Sequence, residues 1–175
     1  MTLGLPALAL VTTLAGCGGS SDRRSEFVGT WSYDTVTAST IDCGTNGVFT
    51  LTQVGDKTIG HGTAAGVVDL SVSLLDGVTV CAFEYDISGP VATVRTAQSC
   101  DLLGLATTTT TPPTTPTEAP NVGTISLTGP NAADFVYTAK LTDLPVPDPA
   151  TQGATSIPGQ CTYHVEAKLA RVSSD

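Results

Sequence analysis

The residues of this chain with the most obvious chemical potential are its five cysteines and two histidines. The cysteines are Cys17, Cys43, Cys81, Cys100 and Cys161. A cysteine sulfur can carry a lipid, bind a metal as the thiolate, or form a disulfide with a second cysteine. No Cys-x-x-Cys pair occurs, and His61 and His164 lie at no zinc-like spacing from any cysteine. The sequence therefore predicts no metal site and no cofactor.

Motifs of known catalytic types are absent from the sequence. It contains no Gly-x-Ser-x-Gly, no His-Glu-x-x-His and no phosphate-binding glycine loop. His61, between two glycines, could act as a base or ligand on an exposed bend, but a solvated loop histidine is the simpler interpretation. His164 is expected on an outer strand face. We therefore predict no catalytic residues and expect that the protein is not an enzyme.

Composition excludes several classes of protein. A net charge of −9 argues against a nucleic-acid-binding protein, which would carry a basic patch. With 41% hydrophobic and only 13% charged residues, the chain is also unlike charge-rich disordered proteins. Threonine makes up 30 of the 175 residues and glycine 18, which favours strands and turns.

The first sixteen residues carry no charge and are mostly apolar. Such a segment is shorter than the roughly 20 residues that span a bilayer and is typical of a signal peptide. It ends in Leu14-Ala15-Gly16-Cys17, which resembles the lipobox of bacterial envelope lipoproteins. The resemblance implies cleavage before Cys17 and acylation of that residue, by palmitate among other chains, so that it anchors the protein in a membrane. Gly18 resembles the residue found there in lipoproteins sent to the outer membrane.

Residues 17–25 then form a predicted flexible tether, followed by a domain over residues 26–175. Alternating apolar residues and turn signals predict eight strands and no amphipathic helix. The predicted strands are residues 26–35, 47–54, 57–75, 78–87, 91–97, 122–127, 134–142 and 160–172. Gly55-Asp56 is expected to make a tight turn, and Asp76-Gly77 is the strongest hairpin signal.

Eight sequential strands predict an all-β, antiparallel up-and-down barrel, since an even number lets the last strand meet the first antiparallel. A two-sheet β-sandwich is the alternative. Two segments are expected to be loops: residues 105–120, rich in threonine and proline, and residues 143–159, rich in proline.

The barrel order predicts how the four remaining cysteines pair. Cys43 follows the first strand, Cys81 opens the fourth, Cys100 follows the fifth and Cys161 opens the eighth. Because the strands alternate in direction, all four cysteines fall at one end of the barrel. The fourth and fifth strands are neighbours, as are the eighth and first. An exported chain forms disulfides, so we predict Cys81–Cys100 and Cys43–Cys161.

Phe27-Val28-Gly29-Thr30-Trp31 opens the first predicted strand, and its Gly-x-Trp resembles the lipocalin-like, or calycin-type, barrels. The resemblance implies that Trp31 closes one end of the barrel and that Arg171, late in the last strand, packs across it. A guanidinium over an indole ring is a favourable cation–π arrangement. An alternative interpretation of Trp31 is an ordinary core aromatic.

Two functions of different class follow. The first is an envelope lipoprotein that binds a small apolar ligand or lipid inside its barrel. Candidate contacts are Phe83, Tyr85, Phe135, Tyr137 and Tyr163, which alternate along the predicted strands. The second is a disulfide-stapled module that binds or inhibits another envelope protein through its loops. In both cases the expected partners are the membrane, through Cys17, and a ligand or protein rather than nucleic acid.

Overall fold

The computed structural model describes residues 22–35, 37–53, 55–73, 80–102, 116–147, 154–156 and 160–174. The predicted signal peptide, Cys17 and the predicted Asp76-Gly77 hairpin lie outside these residues. Within the described part of the chain, no helix is long and apolar enough to cross a lipid bilayer.

The described chain is built almost entirely of strands. One short helix, α1 (Arg24–Phe27), precedes them, and a 3-10 turn (Gly44–Asn46) joins the second strand to the third. The strands are β1 (Gly29–Tyr33), β2 (Thr37–Asp42), β3 (Val48–Gln53), β4 (Asp56–His61), β5 (Val67–Ser73), β6 (Val80–Ser88), β7 (Val91–Val94), β8 (Cys100–Asp101), β9 (Thr117–Gly129), β10 (Ala132–Thr142), β11 (Pro145–Pro147), β12 (Ala154–Ser156) and β13 (Gln160–Ser173).

The strands close into an eight-stranded antiparallel barrel, as predicted. Around the wall the order is β1, β4, β5, β6, β7, β9, β10 and β13, and β13 pairs back to β1. β2 also pairs with β13, while β3 pairs with β2, so β1 and β2 share one wall position and β3 and β4 share the next. Successive wall positions are neighbours throughout. The barrel is therefore up-and-down, and the sandwich alternative is wrong.

The first hairpin differs from its prediction. The chain does not reverse at Gly55-Asp56, because β3 and β4 run on in one direction along β2 and β1. Gly55, with φ of +81°, lies at the break between them. The reversal occurs at residues 43–47, where Gly44 and Gly47 have positive φ and Asp42 accepts a 2.8 Å hydrogen bond from the Gly44 N–H.

Two more strand predictions are wrong. One strand was predicted where there are two, and one strand was missed, yet the number of positions around the barrel wall is still eight. The predicted single strand over residues 57–75 is two strands, β4 and β5, with a turn at residues 62–66. β2 was missed, because Thr-Ala-Ser-Thr-Ile-Asp has one large apolar residue. Since β2 shares a wall position with β1, and β4 with β3, eight positions remain.

Several predicted boundaries also shift. Residues 24–27 are helical, so the predicted tether ends in α1 and the predicted first strand begins only at Gly29. The predicted strand over residues 91–97 stops at Val94, and β9 begins at Thr117, inside the predicted loop 105–120. Within the predicted loop 143–159, β11 and β12 pair as a small separate sheet.

The core lies inside the barrel because inward side chains alternate with outward ones along each strand. β10 shows this pattern: Phe135, Tyr137, Ala139 and Leu141 are buried, and the residues between them are at least partly exposed. Buried residues from all eight wall positions form one connected cluster.

The two ends of the barrel are unlike. At one end, which we call the floor, the strands are joined by short turns at residues 62–66, 89–90 and 130–131, and α1 packs there. At the other end, which we call the cystine end, the connections are residues 43–47, 74–79, 95–116 and 143–159. Both predicted disulfides, Cys43–Cys161 and Cys81–Cys100, are present at the cystine end.

Candidate functional site

The floor is closed by Trp31, which is completely buried. Its indole Nε1 donates a 2.8 Å hydrogen bond to the Phe27 carbonyl of α1. The Arg171 guanidinium lies 5.4 Å from the indole ring, and its Nη2 donates to the carbonyls of Ser25 and Val28. The predicted contact between Trp31 and Arg171 is therefore confirmed.

The five predicted ligand contacts lie inside the barrel, and all are buried. Tyr137 is at their centre: its ring centroid lies 6.3 Å from that of Phe83, 6.1 Å from Phe135 and 5.9 Å from Tyr163. These distances fall within the range of favourable aromatic pairs. The structure thus brings the predicted residues together, although it does not test whether they bind anything.

A buried carboxyl group, absent from the prediction, lies among these rings. Glu118 is 1% exposed, and its Oε1 accepts a 2.6 Å hydrogen bond from the Tyr137 hydroxyl. Burial raises the pKa of Glu118 to about 7, although the hydrogen bond from Tyr137 and the positive charge of Lys57 lower it. Its second oxygen, Oε2, is buried and has no hydrogen-bond partner among the described residues.

Tyr85 is the second buried polar group without a partner. Its ring is fully buried, and its hydroxyl contacts no hydrogen-bonding group in the described part of the chain. Burial raises the pKa of Tyr85, and the nearby charge of Glu118 raises it further. Gly123 on β9 makes room for this hydroxyl, because a Cβ at Gly123 would lie 2.9 Å from it.

A row of polar side chains continues from this site across the inner wall. Burial raises the pKa of Tyr163 to about 12, partly offset by a hydrogen bond with Ser39, and Gln53 Nε2 donates a 2.9 Å hydrogen bond to Ser39 Oγ. Beyond them the Lys57 ammonium, 6% exposed, lies 5.3 Å from the ring centroid of Tyr33. We call Glu118, Tyr85, Tyr137, Tyr163 and Lys57 the Glu118 cluster.

The chemistry available to the Glu118 cluster is hydrogen bonding and proton uptake. The raised pKa values of Tyr85, Tyr137 and Tyr163 keep the phenols protonated at neutral pH, so they can donate or accept hydrogen bonds but are poor nucleophiles. Glu118 alone in the cluster has a raised pKa close to neutrality. The arrangement suits recognition of a polar group more than covalent catalysis.

Sequence reasoning missed Glu118 and Lys57 for different reasons. Glu118 follows a run of threonines and prolines that predicts a loop, so no pattern indicated an inward position. Lys57 was detectable, because Lys57 and Ile59 alternate on one strand face and both are buried. A lysine in phase with an inward isoleucine indicates a buried charge.

The histidines lie outside this cluster. His61 is exposed at the end of β4. His164 faces outward on β13, where Nδ1 lies 3.0 Å from Thr138 Oγ1 and Nε2 lies 3.5 Å from Glu166. Among the described residues, no group of three or more His, Cys, Asp and Glu side chains is placed to hold a metal ion.

Comparison with known proteins does not add to this geometry. No family model, curated protein or solved structure matches this chain. The function must therefore be inferred from the Glu118 cluster, the floor and the sequence of the N-terminal segment.

Proposed function

We propose that this chain is a lipid-anchored bacterial envelope protein whose barrel binds a small ligand with an apolar body and a hydroxyl head group. One observation carries the ligand part: Glu118 Oε2 and the Tyr85 hydroxyl lie buried in one cluster, and neither has a hydrogen-bond partner in the described part of the chain. More than nine in ten buried polar groups in proteins are paired, and each unpaired one costs about 1–3 kcal/mol. A purely structural interior would avoid that cost with apolar side chains.

A hydroxyl group matches both atoms in chemistry, because it can donate one hydrogen bond and accept another. With Glu118 ionised, the ligand hydroxyl donates to Oε2 and accepts from Tyr85. With Glu118 protonated, the direction reverses, and the ligand accepts from Oε2 and donates to the Tyr85 oxygen. Because the pKa of Glu118 is about 7, both states are populated near neutral pH. A carboxylate head group would instead be repelled by ionised Glu118.

The aromatic rings supply the contacts for an apolar body. Phe83 and Phe135 flank Tyr137, and all three rings are at most 1% exposed. Burying an apolar side chain or an equivalent ligand fragment against such rings stabilises a complex by roughly 25 cal/mol for each Å² removed from water. The resemblance of the Trp31 and Arg171 closure to lipocalin-like barrels supports the same interpretation.

The anchor is supported by the lipobox resemblance and by where the folded domain begins. Asp22 and α1 lie at the floor, so a tether from Cys17 reaches the barrel at that end. An acylated Cys17 would then hold the floor towards an envelope membrane, and the outer membrane is the one that Gly18 favours.

The same orientation supports a second candidate function, binding of an envelope protein through the cystine end. This end would face away from the membrane and carries the longer connections. Val48, beside the stapled 43–47 turn, is 62% exposed and offers an apolar contact. A partner bound there would be lost on substitution of Val48 but not on substitution of Glu118.

Ligand binding is tested with 1-hexanol as a probe of the interior. We expect saturable binding, with nuclear Overhauser contacts from the probe to the rings of Tyr85 and Tyr137. Tyr85→Phe should weaken the affinity about fivefold or more, whereas Glu166→Gln, which changes an exposed carboxyl on β13, should leave it unchanged. Absence of saturable binding, or equal affinity in Tyr85→Phe, would refute the ligand proposal.

Anchoring is tested by expressing the full chain in a bacterial host that processes lipoproteins. The wild type should fractionate with membranes and incorporate labelled palmitate, whereas Cys17→Ser should do neither. Ser21→Ala, in the tether but outside the lipobox, is the matched control and should behave as the wild type. Palmitate incorporation that persists in Cys17→Ser would contradict the proposal.

A further inference from the structure

The barrel wall is discontinuous between β6 and β9. β7 has four residues, whereas β6 has nine and β9 has thirteen. β7 therefore pairs with β6 only over residues 85–88 and with β9 only over residues 124–126. Towards the cystine end, β6 and β9 both extend beyond the last residue of β7, so β7 does not bridge them there.

Residues 95–102, which we call the strap, cross this opening. On the β9 side, Cys100 and Asp101 form β8, which pairs with Glu118 and Thr117. On the β6 side, the Arg95 N–H donates a 2.9 Å hydrogen bond to the Glu84 carbonyl, and the Arg95 guanidinium pairs with Glu84 and Asp86. Beyond Arg95 a side chain takes over: the Gln98 amide accepts a 2.8 Å hydrogen bond from the Glu84 N–H and donates a 3.0 Å bond to the Glu84 carbonyl.

The strap has the local features of a movable segment. Ala97 has φ of +62°, a left-handed conformation that residues with a Cβ seldom adopt, and its side chain is exposed. β8 has two residues, and one further backbone hydrogen bond, from the Leu102 N–H to the Pro116 carbonyl, holds the end of the strap. Leu102 is buried, but residues 95–101 are all at least partly exposed. Segments with few buried contacts open at a lower free energy than the core.

The Cys81–Cys100 disulfide fastens the strap to β6 directly above the buried carboxyl. Cys100 and Glu118 are register partners, and directly opposed residues of an antiparallel pair point to the same side of the sheet. Cys81 is 1% exposed and Cys43 and Cys161 are also buried, whereas Cys100 is partly exposed. Cys100 is thus the most accessible sulfur of the two disulfides.

We propose that the strap is the entrance to the Glu118 cluster and that Cys81–Cys100 is its redox-controlled latch. This inference rests on the proposed function of the interior as a ligand site. A thiolate of an envelope dithiol attacks Cys100 Sγ, forming a mixed disulfide and releasing Cys81 as a thiolate that takes up a proton. The second thiol of the dithiol then displaces Cys100, so the dithiol is oxidised by two electrons and the protein disulfide is reduced.

The first experiment compares the two disulfides in the folded wild-type protein. During mild treatment with dithiothreitol, alkylation and mass mapping should show Cys81–Cys100 reduced at least tenfold faster than Cys43–Cys161. After selective reduction, amide hydrogen exchange should rise at least tenfold in residues 80–84 and 116–120 and stay unchanged in β10. Equal reduction rates, or exchange that rises throughout the barrel, would overturn the latch.

A variant that keeps both disulfides tests the strap itself. Gln98→Ala removes the side-chain link to Glu84 and should raise the reduction rate of Cys81–Cys100 about fivefold. Ser99→Ala, an exposed neighbour in the strap, is the matched control and should leave the rate unchanged. An unchanged rate in Gln98→Ala would contradict the role assigned to the strap.

The entrance and the ligand site can fail separately. Association of 1-hexanol should be at least tenfold faster with the latch reduced than with it oxidised. Equal association rates in the two states would refute the entrance and leave the ligand site standing. Failure of 1-hexanol to bind in either state would refute the ligand site, and the entrance with it, even where hydrogen exchange shows that the strap opens.

Discussion

At the floor of the barrel, neighbouring strands are joined by turns of at most five residues. At the cystine end, three of the four connections are longer, and both disulfides lie there. Trp31, α1 and Arg171 close the floor by packing and hydrogen bonds. At the cystine end, the two disulfides lower the conformational entropy of the unfolded chain, which long connections would otherwise raise. Short turns limit that entropy at the floor.

The two regions also differ in how their buried polar groups are paired among the described residues. At the floor the Trp31 N–H is paired, and the Arg171 guanidinium donates to two carbonyls through Nη2 although its Nε has no partner. In the barrel interior, Glu118 Oε2 and the Tyr85 hydroxyl both lack a described partner. Proteins commonly break the rules of stability where they function. The contrast supports the proposal that the Glu118 cluster binds a ligand while the floor closes the barrel.

Removing the disulfides should give the largest effects and should rank them. In the chain-entropy model, Cys43–Cys161, with a sequence separation of 118, contributes about 5 kcal/mol, and Cys81–Cys100, with a separation of 19, about 3 kcal/mol. Urea unfolding of the double alanine variants measures both losses. A larger loss of stability on removing Cys81–Cys100 would contradict this ranking. It would show that the Cys43–Cys161 bond between β13 and the first hairpin is not the main stabiliser of the cystine end.

Trp31→Ala should cost about 4 kcal/mol, because it removes a fully buried indole from the floor. Trp31→Phe retains most of the packing and should cost less than half as much in the same urea titration. Val172→Ala, at a site that is 59% exposed on β13, is the control and should change stability by less than about 0.5 kcal/mol. A small loss in Trp31→Ala would mean that packing does not close the floor.

Glu118 should make stability depend on pH. Its pKa is about 7 in the folded protein against 4.5 when unperturbed, so the unfolded chain releases this proton first as the pH rises. The contribution of Glu118 is most favourable below pH 4.5 and falls by roughly 3 kcal/mol as the pH rises through 7.

Glu118→Gln should therefore unfold at higher urea concentration than the wild type at pH 8, and the difference should shrink at pH 5. Glu166→Gln, which alters an exposed carboxyl, is the control and should keep the wild-type dependence of stability on pH. If Glu118→Gln also keeps that dependence, Glu118 is not the buried titrating group.

The smallest effect should come from Arg171→Lys, which loses the planar guanidinium over Trp31 and part of its hydrogen bonding. We expect a loss of about 1 kcal/mol in urea unfolding. Lys168→Ala on the same strand breaks an exposed ion pair with Asp134 and should cost no more than about 0.5 kcal/mol. Equal losses of stability in the two variants would show that Arg171 does not help to close the floor.

The wall and the disulfides could be predicted because their signals are local. β13 alternates Cys161, Tyr163 and Val165 inward with polar residues outward, and this pattern alone indicates a half-buried strand. The disulfide pairing then followed from strand direction, which is insensitive to shifts of a few residues at strand ends.

The tyrosines of the Glu118 cluster were predicted, but Glu118 itself and the first hairpin could not be predicted with the same signals. A period-two pattern reports an inner face only when that face is apolar, and Glu118, Ser39 and Gln53 are buried polar residues. Gly55 shows a second ambiguity, because a glycine with positive φ serves a strand break as readily as a turn. Whether Gly55 makes a turn or a strand break depends on how β3 and β4 pair with β2 and β1, and the local sequence does not show this.

β13 pairs with β10 on one side and with both β1 and β2 on the other. The wall therefore cannot close until the last strand has left the ribosome, and the earlier strands wait with two open edges. Contacts so distant along the chain slow folding. Under the proposal that the chain is exported and then anchored, this late closure would keep the polypeptide open enough to cross the membrane until β13 has been made.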